Sequence, residues 1–174
     1  YTNAGKSTLL NALTKGDVFV EGKLFATLDP ATRRMRFPND HEVVFVDTVG
    51  FIRELPKELV AAFRATLEEV HEADVLVHVV DAANPDFEKQ MQVVESTLDS
   101  LGFGEKPRLL VWNKIDLLSQ LERQTLLHRY PGLPVSAVER TGFMELLYGL
   151  QDLLAQSFVG IDPSGFISSG ATLR

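Results

Sequence analysis

Short apolar runs alternate along the chain with segments of helical periodicity. Each run is almost continuous and stops at a polar residue such as Asp47, Asp81 or Asn113. A strand that is apolar at successive positions must be buried on both faces, as in a parallel sheet covered by helices. The runs occupy residues 42–46, 75–80 and 109–112, and a shorter last strand is expected at 134–136.

One segment departs from this pattern. Residues 32–37 (TRRMRF) mix polar and apolar positions, and the turn-forming sequence Pro38-Asn39-Asp40 follows them. This combination predicts an exposed edge strand that forms a hairpin with residues 43–46.

Apolar residues at spacings of three and four predict helices between the strands. The apolar stripe of each helix is expected to pack against the sheet. A weaker helix is predicted over residues 119–129. The resulting fold class is α/β: a mostly parallel sheet with one antiparallel edge hairpin and helices on both faces. The stripes are Leu59, Phe63, Leu67 and Val70; Phe87, Met91, Val94, Leu98 and Leu101; and Phe143, Leu146, Leu147, Leu150, Leu153 and Leu154.

Composition narrows the class of protein. The 174 residues are 45% hydrophobic and 24% charged, which is typical of one compact domain. The net charge of −7 argues against a globally basic nucleic-acid binder, so no DNA partner is expected. Cysteine is absent, which excludes a disulfide framework and a cysteine nucleophile.

No apolar run approaches the ~20 residues that span a bilayer. The first residues also lack the basic segment and apolar core of a signal peptide. We therefore expect a cytoplasmic setting, with association at a membrane surface left open.

The first chemical motif is GKST at residues 5–8, directly before a helical pattern. It matches the end of the phosphate-binding loop G-x-x-x-x-G-K-[ST], whose first glycine would precede Tyr1. Gly5 lets the backbone approach phosphates, and the N–H groups at the helix start point at the anion. Lys6 would neutralise the outer phosphates, and the Ser7 hydroxyl would bind Mg²⁺.

A second motif, DTVG at residues 47–50, follows an apolar strand. The Asp47 carboxylate there can hold Mg²⁺ through water, and the Gly50 N–H can sense a γ-phosphate. Taken alone, the motif favours this nucleotide role, and the alternative is an ordinary turn after a strand.

The third motif, NKID at residues 113–116, follows another apolar strand and is typical of guanine recognition. Asp116 can accept from the guanine N1–H and 2-amino groups, and adenine offers neither donor there. Asn113 would tie this loop to the phosphate loop, and Lys114 would lie along the base. Residues 136–137 follow the last strand, where a backbone N–H can meet guanine O6.

Together, the four elements occur in the order found in GTPases, and ligands of open α/β sheets bind at the carboxyl ends of strands. Within that class, YTNAGKST at 1–8, LFATLDP at 24–30 and DTVGFI at 47–52 resemble the HflX GTPases. The F-A-T-L-D-P segment is the most discriminating, because Era and Obg proteins look different there. The resemblance implies a Ras-like P-loop GTPase fold over roughly residues 1–156.

The resemblance also implies roles for individual residues. Thr27 would be the switch threonine that coordinates Mg²⁺ in the GTP state, beside Ser7 and Asp47. Lys6, Thr27 and Gly50 would serve catalysis. The expected GTP-binding residues are Tyr1, Thr2, Asn3, Ala4, Gly5, Lys6, Ser7, Thr8, Phe25, Ala26, Thr27, Leu28, Asp29, Asp47, Thr48, Val49, Gly50, Asn113, Lys114, Ile115, Asp116, Ser136 and Ala137.

A partner follows from the same resemblance. HflX proteins bind GTP and GDP, associate with the large ribosomal subunit and its RNA, and can split ribosomes under stress. The resemblance does not include the family's N-terminal domain, and the segment after Phe158 matches no family pattern. We expect residues 1–156 to be a GTP-binding domain without its first strand and first loop glycine. Residues 157–174 are expected to be a tail or linker.

Two positions bear on hydrolysis. Ras-type enzymes place a glutamine after the D-x-x-G glycine to orient the attacking water, but Phe51 stands there and cannot hydrogen-bond water. Either Phe51 packs into the fold or turnover is slow without a partner. Asn3 occupies a loop position where some GTPases use K⁺ beside the phosphates, and its alternative role is to stabilise the loop.

A small basic run, Arg33, Arg34 and Arg36, lies on the predicted edge strand. It can guard that edge against pairing, or it can contact ribosomal RNA phosphate together with Arg53 and Lys57. The four histidines do not cluster in sequence, so structural or surface roles are expected for His41, His71, His78 and His128.

The sequence alone leaves three interpretations of the function open. The first is a Mg²⁺-dependent GTP hydrolase that is slow without its partner. The second is a nucleotide-gated binding module of another Era- or Obg-like ribosome-assembly GTPase, with little intrinsic hydrolysis. The third is a degenerate, inactive domain, against which the intact Lys6, Ser7, Thr27, Asp47 and Asp116 argue.

Overall fold

A computed structural model describes residues 4–14, 32–37, 42–46 and 70–158. A short 3₁₀ helix spans Ile115–Leu117. The helices and strands are α1 (Lys6–Thr14), β1 (Thr32–Arg36), β2 (Glu42–Val46), β3 (Leu76–Asp81), α2 (Phe87–Ser100), β4 (Arg108–Asn113), α3 (Gln120–Arg129), β5 (Leu133–Pro134) and α4 (Phe143–Phe158).

Strands β3, β4 and β5 form a parallel sheet in that order. The register pairs Val80 with Trp112 and Asp81 with Asn113, so β3 and β4 end level with each other. Beyond the ladder, the Ala82 N–H donates to the Asn113 carbonyl at 2.9 Å. The polar residues that end these two strands therefore lie side by side at the carboxyl edge of the sheet.

One face of this sheet carries the larger core. Val79 and Val111 belong to a buried cluster with Leu9 of α1 and Leu146 of α4. The helical stripes of both elements also supply Leu13, Leu147, Leu150 and Leu154, because residues three and four apart share one face of a helix.

The opposite face carries a second cluster. Val80 and Trp112 pack there with Leu126 of α3 and the partly buried Phe87 of α2. Successive residues of a strand point to opposite faces, so each strand contributes to both clusters. The expected parallel sheet with helices on both faces is thereby confirmed.

Strands β1 and β2 form the predicted antiparallel pair, with Thr32 opposite Val46 and Arg36 opposite Glu42. Met35 is buried in the same cluster as α1, whereas Arg34 and Arg36 are exposed. The alternation explains the mixed composition of this strand, since one side faces the core and the other faces solvent.

The predicted position of the last strand has to be corrected. It was expected at residues 134–136, but the ladder comprises Leu133 and Pro134, paired with Val111 and Trp112. Ser136 lies beyond it and pairs with Thr141 in an isolated antiparallel bridge. The backbone turns there because it exchanges hydrogen bonds with its own loop rather than with β4.

The weaker predicted helix is confirmed, and its start is explained. Ser119 caps α3: its Oγ accepts from the Glu122 N–H, and the Glu122 side chain accepts from the Ser119 N–H. This capping box satisfies backbone donors that a helix start otherwise leaves open. The predicted stripe of residues 59–70 lies outside the described residues apart from its end, where 70–72 are helical.

Membrane insertion by a helix finds no support in the part of the chain that is described: none of its helices is long and apolar enough to cross a bilayer.

Candidate functional site

Three predicted elements meet at the carboxyl edge of the parallel sheet. They are the loop before α1, the turn after β4 and the loop after β5, and hydrogen bonds connect all three. The arrangement places the phosphate-loop motif beside the candidate base-reading motif, as expected for an open α/β sheet.

Asn113 makes the central connection. Its side chain is almost fully buried at 1% exposure. The Nδ2 donates to the Ala4 carbonyl at 2.8 Å, and the Oδ1 accepts from the Ala137 N–H at 3.1 Å. The expectation that Asn113 ties its loop to the phosphate loop is confirmed, and the loop after β5 is held by the same amide.

Gly5 fits this connection for two reasons. Its φ of +86° lies in the left-handed region that side chains rarely adopt. A Cβ at this position would also collide with Nδ2 of Asn113. The glycine therefore allows the loop to turn into α1 while the buried amide lies against it, and the Leu9 N–H closes the first turn on the Gly5 carbonyl at 2.8 Å.

The Asp116 carboxylate is oriented by a buried serine. Ser136 is 0% exposed, and its Oγ donates to Asp116 Oδ1 at 2.6 Å. The same Oγ accepts from the Glu139 N–H at 3.1 Å, which fixes the direction of its proton toward the carboxylate. Asp116 is only partly buried, so part of this residue is accessible to a ligand.

The backbone donors assigned to the base carbonyl are both engaged within the protein. The Ser136 N–H donates to the Thr141 carbonyl at 3.1 Å. The Ala137 N–H donates to Asn113 Oδ1 at 3.1 Å. A base oxygen recognised through Ala137 would therefore share this donor with Asn113.

Lys114 has a partner that the sequence analysis missed. Its Nζ donates to Asp81 Oδ2 at 2.6 Å, across the ends of β3 and β4. Asp81 was noted only as the residue where an apolar run stops. The available signal was its position, because an acidic residue ends one strand where Asn113 ends its neighbour.

Lys6 and Ser7 open α1, with Lys6 half-buried and Ser7 exposed. Both residues lie in the first turn of the helix, and the N-terminus of a helix favours anions. Among the described residues, no group of three or more histidine, aspartate or glutamate side chains could hold a metal. The Mg²⁺ ligands expected from the sequence are different, because they combine the hydroxyl groups of Ser7 and Thr27 with a single carboxylate, that of Asp47.

Several predicted site residues lie outside the described residues, so their positions stay predictions. They are Tyr1, Thr2, Asn3, Phe25, Ala26, Thr27, Leu28, Asp29, Asp47, Thr48, Val49 and Gly50.

A glycine loop opening a helix, a buried asparagine that holds this loop, and an aspartate oriented by a serine together define a P-loop GTPase fold. Comparisons with known proteins agree with this class. The family model described as 50S ribosome-binding GTPase matches residues 1–114.

The curated relatives are GTPases of the HflX type. "GTPase HflX" of Caldanaerobacter subterraneus subsp. tengcongensis is 60% identical over 118 residues, covering 68% of this chain and 28% of that protein. "GTPase HflX" of Magnetococcus marinus is 44% identical over 176 residues, covering 99% of this chain and 40% of that protein.

A solved structure of a GTP-binding protein from Sulfolobus solfataricus in complex with GDP superposes with a TM-score of 0.68. It is 30% identical, covering 90% of this chain and 50% of that one. The chain belongs to the 50S ribosome-binding GTPase family and contains a G domain of the HflX type. It spans 28% and 40% of the length of the two curated relatives described above.

Proposed function

We propose that this chain binds GTP with Mg²⁺, hydrolyses it, and acts as a switch whose GTP form associates with the large ribosomal subunit. The observation that carries the proposal is the Ser136–Asp116 hydrogen bond of 2.6 Å, beside a phosphate loop held by Asn113. Base and phosphate recognition are thereby joined in one site.

Guanine selection rests on Asp116. Ser136 donates a hydrogen bond to one of its oxygens, which restricts the orientation of the carboxylate. A carboxylate accepts from the guanine N1–H and 2-amino group, whereas adenine would leave this charged acceptor without a donor. The Ala137 N–H supports the selection of guanine, because this donor can be shared between Asn113 Oδ1 and the carbonyl oxygen of the base.

Phosphate binding rests on residues 5–8. The start of α1 supplies backbone N–H groups, and Lys6 supplies a positive charge near the outer phosphates. Ser7, Thr27 and Asp47 would hold Mg²⁺. The ion, when bound, would neutralise phosphate charge. Use of K⁺ near Asn3 stays a prediction, because Asn3 lies outside the described residues.

The ribosome is proposed as partner because the family model is that of a 50S ribosome-binding GTPase. The exposed Arg34 on β1 is a candidate contact to RNA phosphate. Its neighbour Arg36 forms an exposed ion pair with Glu42 at 3.5 Å, so part of the basic run is already matched by an acid. A modest electrostatic contribution is expected from this strand.

A second function is favoured by one sequence feature. Phe51 replaces the glutamine that orients water in Ras-type enzymes. A nucleotide-gated binding module of another Era- or Obg-like ribosome-assembly GTPase, with little intrinsic hydrolysis, would retain the binding residues and lack this group. The two functions differ in whether turnover rises when the partner is added.

The test measures GTP turnover and cosedimentation with the large ribosomal subunit, each with GDP and with a non-hydrolysable GTP analogue. We expect slow turnover that ribosomes accelerate, and cosedimentation only with the analogue. Thr27→Ala should spare GDP binding but weaken turnover and cosedimentation, while Thr125→Ala on the exposed face of α3 should change neither. Absence of turnover with and without ribosomes would refute the hydrolase. Equal cosedimentation in both nucleotides would refute the switch.

A further inference from the structure

Lys114, which directly follows β4, reaches across the carboxyl edge of the sheet to Asp81 at the end of β3. Its backbone has φ 65° and ψ 32°, a left-handed conformation that is uncommon outside glycine. Its Nζ donates to Asp81 Oδ2 at 2.6 Å, and the two side chains are 32% and 17% exposed. Both the backbone and the end of this flexible side chain are therefore fixed.

Asp81 is itself held by the sheet. Its Oδ1 accepts from the Ala83 N–H at 3.0 Å, so each carboxylate oxygen has its own donor. Asp81 lies opposite Asn113 in the register, and the Ala82 N–H donates to the Asn113 carbonyl. The carboxylate is anchored to the same asparagine-centred edge that holds the phosphate loop.

Stability alone is a weak explanation for this pair. Partly exposed ion pairs contribute little to stability, because solvent screens them and two side chains lose freedom. Burying most of the Asp81 carboxylate also has a desolvation cost. A contribution to ligand binding accounts for the arrangement, since a lysine stem that is already ordered loses less entropy when a ligand contacts it.

We propose that Asp81 is a positioning residue for the nucleotide base. By holding the Lys114 ammonium, it keeps the methylene stem of that lysine extended as one wall of the base site. Asp116 then selects guanine by hydrogen bonding, while the Asp81–Lys114 pair shapes the site without reading the base. This inference rests on the proposed function of guanine-nucleotide binding.

The test is a double-mutant cycle on GDP affinity in the purified protein. Asp81→Asn keeps the size of the side chain and an oxygen for the Ala83 N–H, but it removes the charge that holds Lys114. We expect GDP to bind about five- to tenfold more weakly, the effect of leaving one long side chain unordered before binding. The preference for GDP over xanthosine diphosphate should be unchanged, because Asp116 is intact.

Lys114→Met is the second variant of the double-mutant cycle. It keeps an unbranched apolar stem and removes the ammonium, so Asp81 has nothing left to hold. In that background, Asp81→Asn should cause no further loss of GDP affinity, which is the signature of two residues acting through one contact. Glu88→Gln is the matched control, because it removes the exposed ion pair to Arg129 between α2 and α3. It should leave GDP affinity unchanged.

Two results would overturn the inference. One is wild-type GDP affinity in Asp81→Asn. The other is an equal loss on Asp81→Asn in the wild-type and Lys114→Met backgrounds, which would mean that Asp81 acts on the fold and not through Lys114. Asp116→Asn, measured in parallel, separates this from failure of the proposed function. If Asp116→Asn also keeps full GDP affinity, the guanine site itself is wrong.

Discussion

The side-chain amide of Asn113 joins the phosphate loop to the loop after β5: it donates to the Ala4 carbonyl at 2.8 Å and accepts from the Ala137 N–H at 3.1 Å. Two loops separated by more than a hundred residues are thereby fixed relative to each other. Both contacts are made within the protein, between groups of three different segments of the chain.

Asn113→Ala should therefore disturb folding and binding together. The change leaves the Ala4 carbonyl and the Ala137 N–H without their partner, at a cost of about 1–3 kcal/mol for each group that stays buried and unsatisfied. We expect a lower free energy of unfolding and weaker GDP binding, measured by denaturant titration and equilibrium binding.

Asn84→Ala is the matched control for this change. The Asn84 side chain also accepts a hydrogen bond from a backbone N–H, that of Asp86 at 2.9 Å, but this contact lies in an exposed turn. Its loss should lower the free energy of unfolding by less and leave GDP affinity intact. Similar effects from both variants would show that Asn113 has no special place in the site.

Gly5→Ala tests the close approach of the phosphate loop to Asn113. The added methyl group meets both a left-handed backbone and the Asn113 amide. Gly102→Ala is the control, because Gly102 has a similar φ of +81° but nothing within 4 Å of an added Cβ. Both variants should lose about 1 kcal/mol of stability from the backbone alone.

The comparison isolates the contact. Gly5→Ala should lose further stability and at least tenfold in GDP affinity, since the loop must move away from Asn113 to make room. Gly102→Ala should bind GDP as the wild type does. Equal losses of stability, with unchanged GDP affinity in both variants, would contradict this account.

His78 in β3 should make the protein less stable in mild acid. Burial, with a smaller contribution from the Arg108 charge, lowers the pKa of His78 from 6.5 to about 4. Between these values the unfolded chain binds a proton that the folded chain excludes, so the free energy of unfolding falls as the pH drops from 6.5 toward 4. Well above pH 6.5 the residue is neutral in both states and adds no pH dependence.

His78→Val removes this titration. Between pH 7 and pH 4.5, the free energy of unfolding of the variant should fall by about 2 kcal/mol less than that of the wild type. His128→Gln on the exposed side of α3 is the control and should follow the wild-type curve. Parallel curves for His78→Val and the wild type would show that His78 does not titrate with folding.

Much of the fold was predictable because its signals are local. The apolar runs at 75–80 and 109–112 lie within one residue of β3 and β4 at each end, and the spacing of apolar residues located α2 and α4. The last strand was misplaced because two residues suffice for its ladder, and the bridge between Ser136 and Thr141 depends on tertiary pairing.

In the candidate site, too, the residues of a local motif were predictable, whereas contacts between distant segments were not. Asn113 and Asp116 were recognisable because they belong to one short motif at the end of a strand. The Asp81–Lys114 pair was not, since its partners are 33 positions apart and meet only through the register of β3 against β4. The engagement of the Ala137 N–H by Asn113 also arises from packing between two loops.

Guanine selection by Asp116 is the claim on which the account most depends, and nucleotide binding to Asp116→Asn tests it most directly. The variant replaces an acceptor pair with one acceptor and one donor. GDP affinity should fall by a factor on the order of 10²–10³, as when a buried charged partner is truncated. Xanthosine diphosphate, with a carbonyl where guanine has an amine, should bind the variant better than it binds the wild type. Undiminished GDP affinity in the variant, with no gain for xanthosine diphosphate, would contradict the assignment of this site.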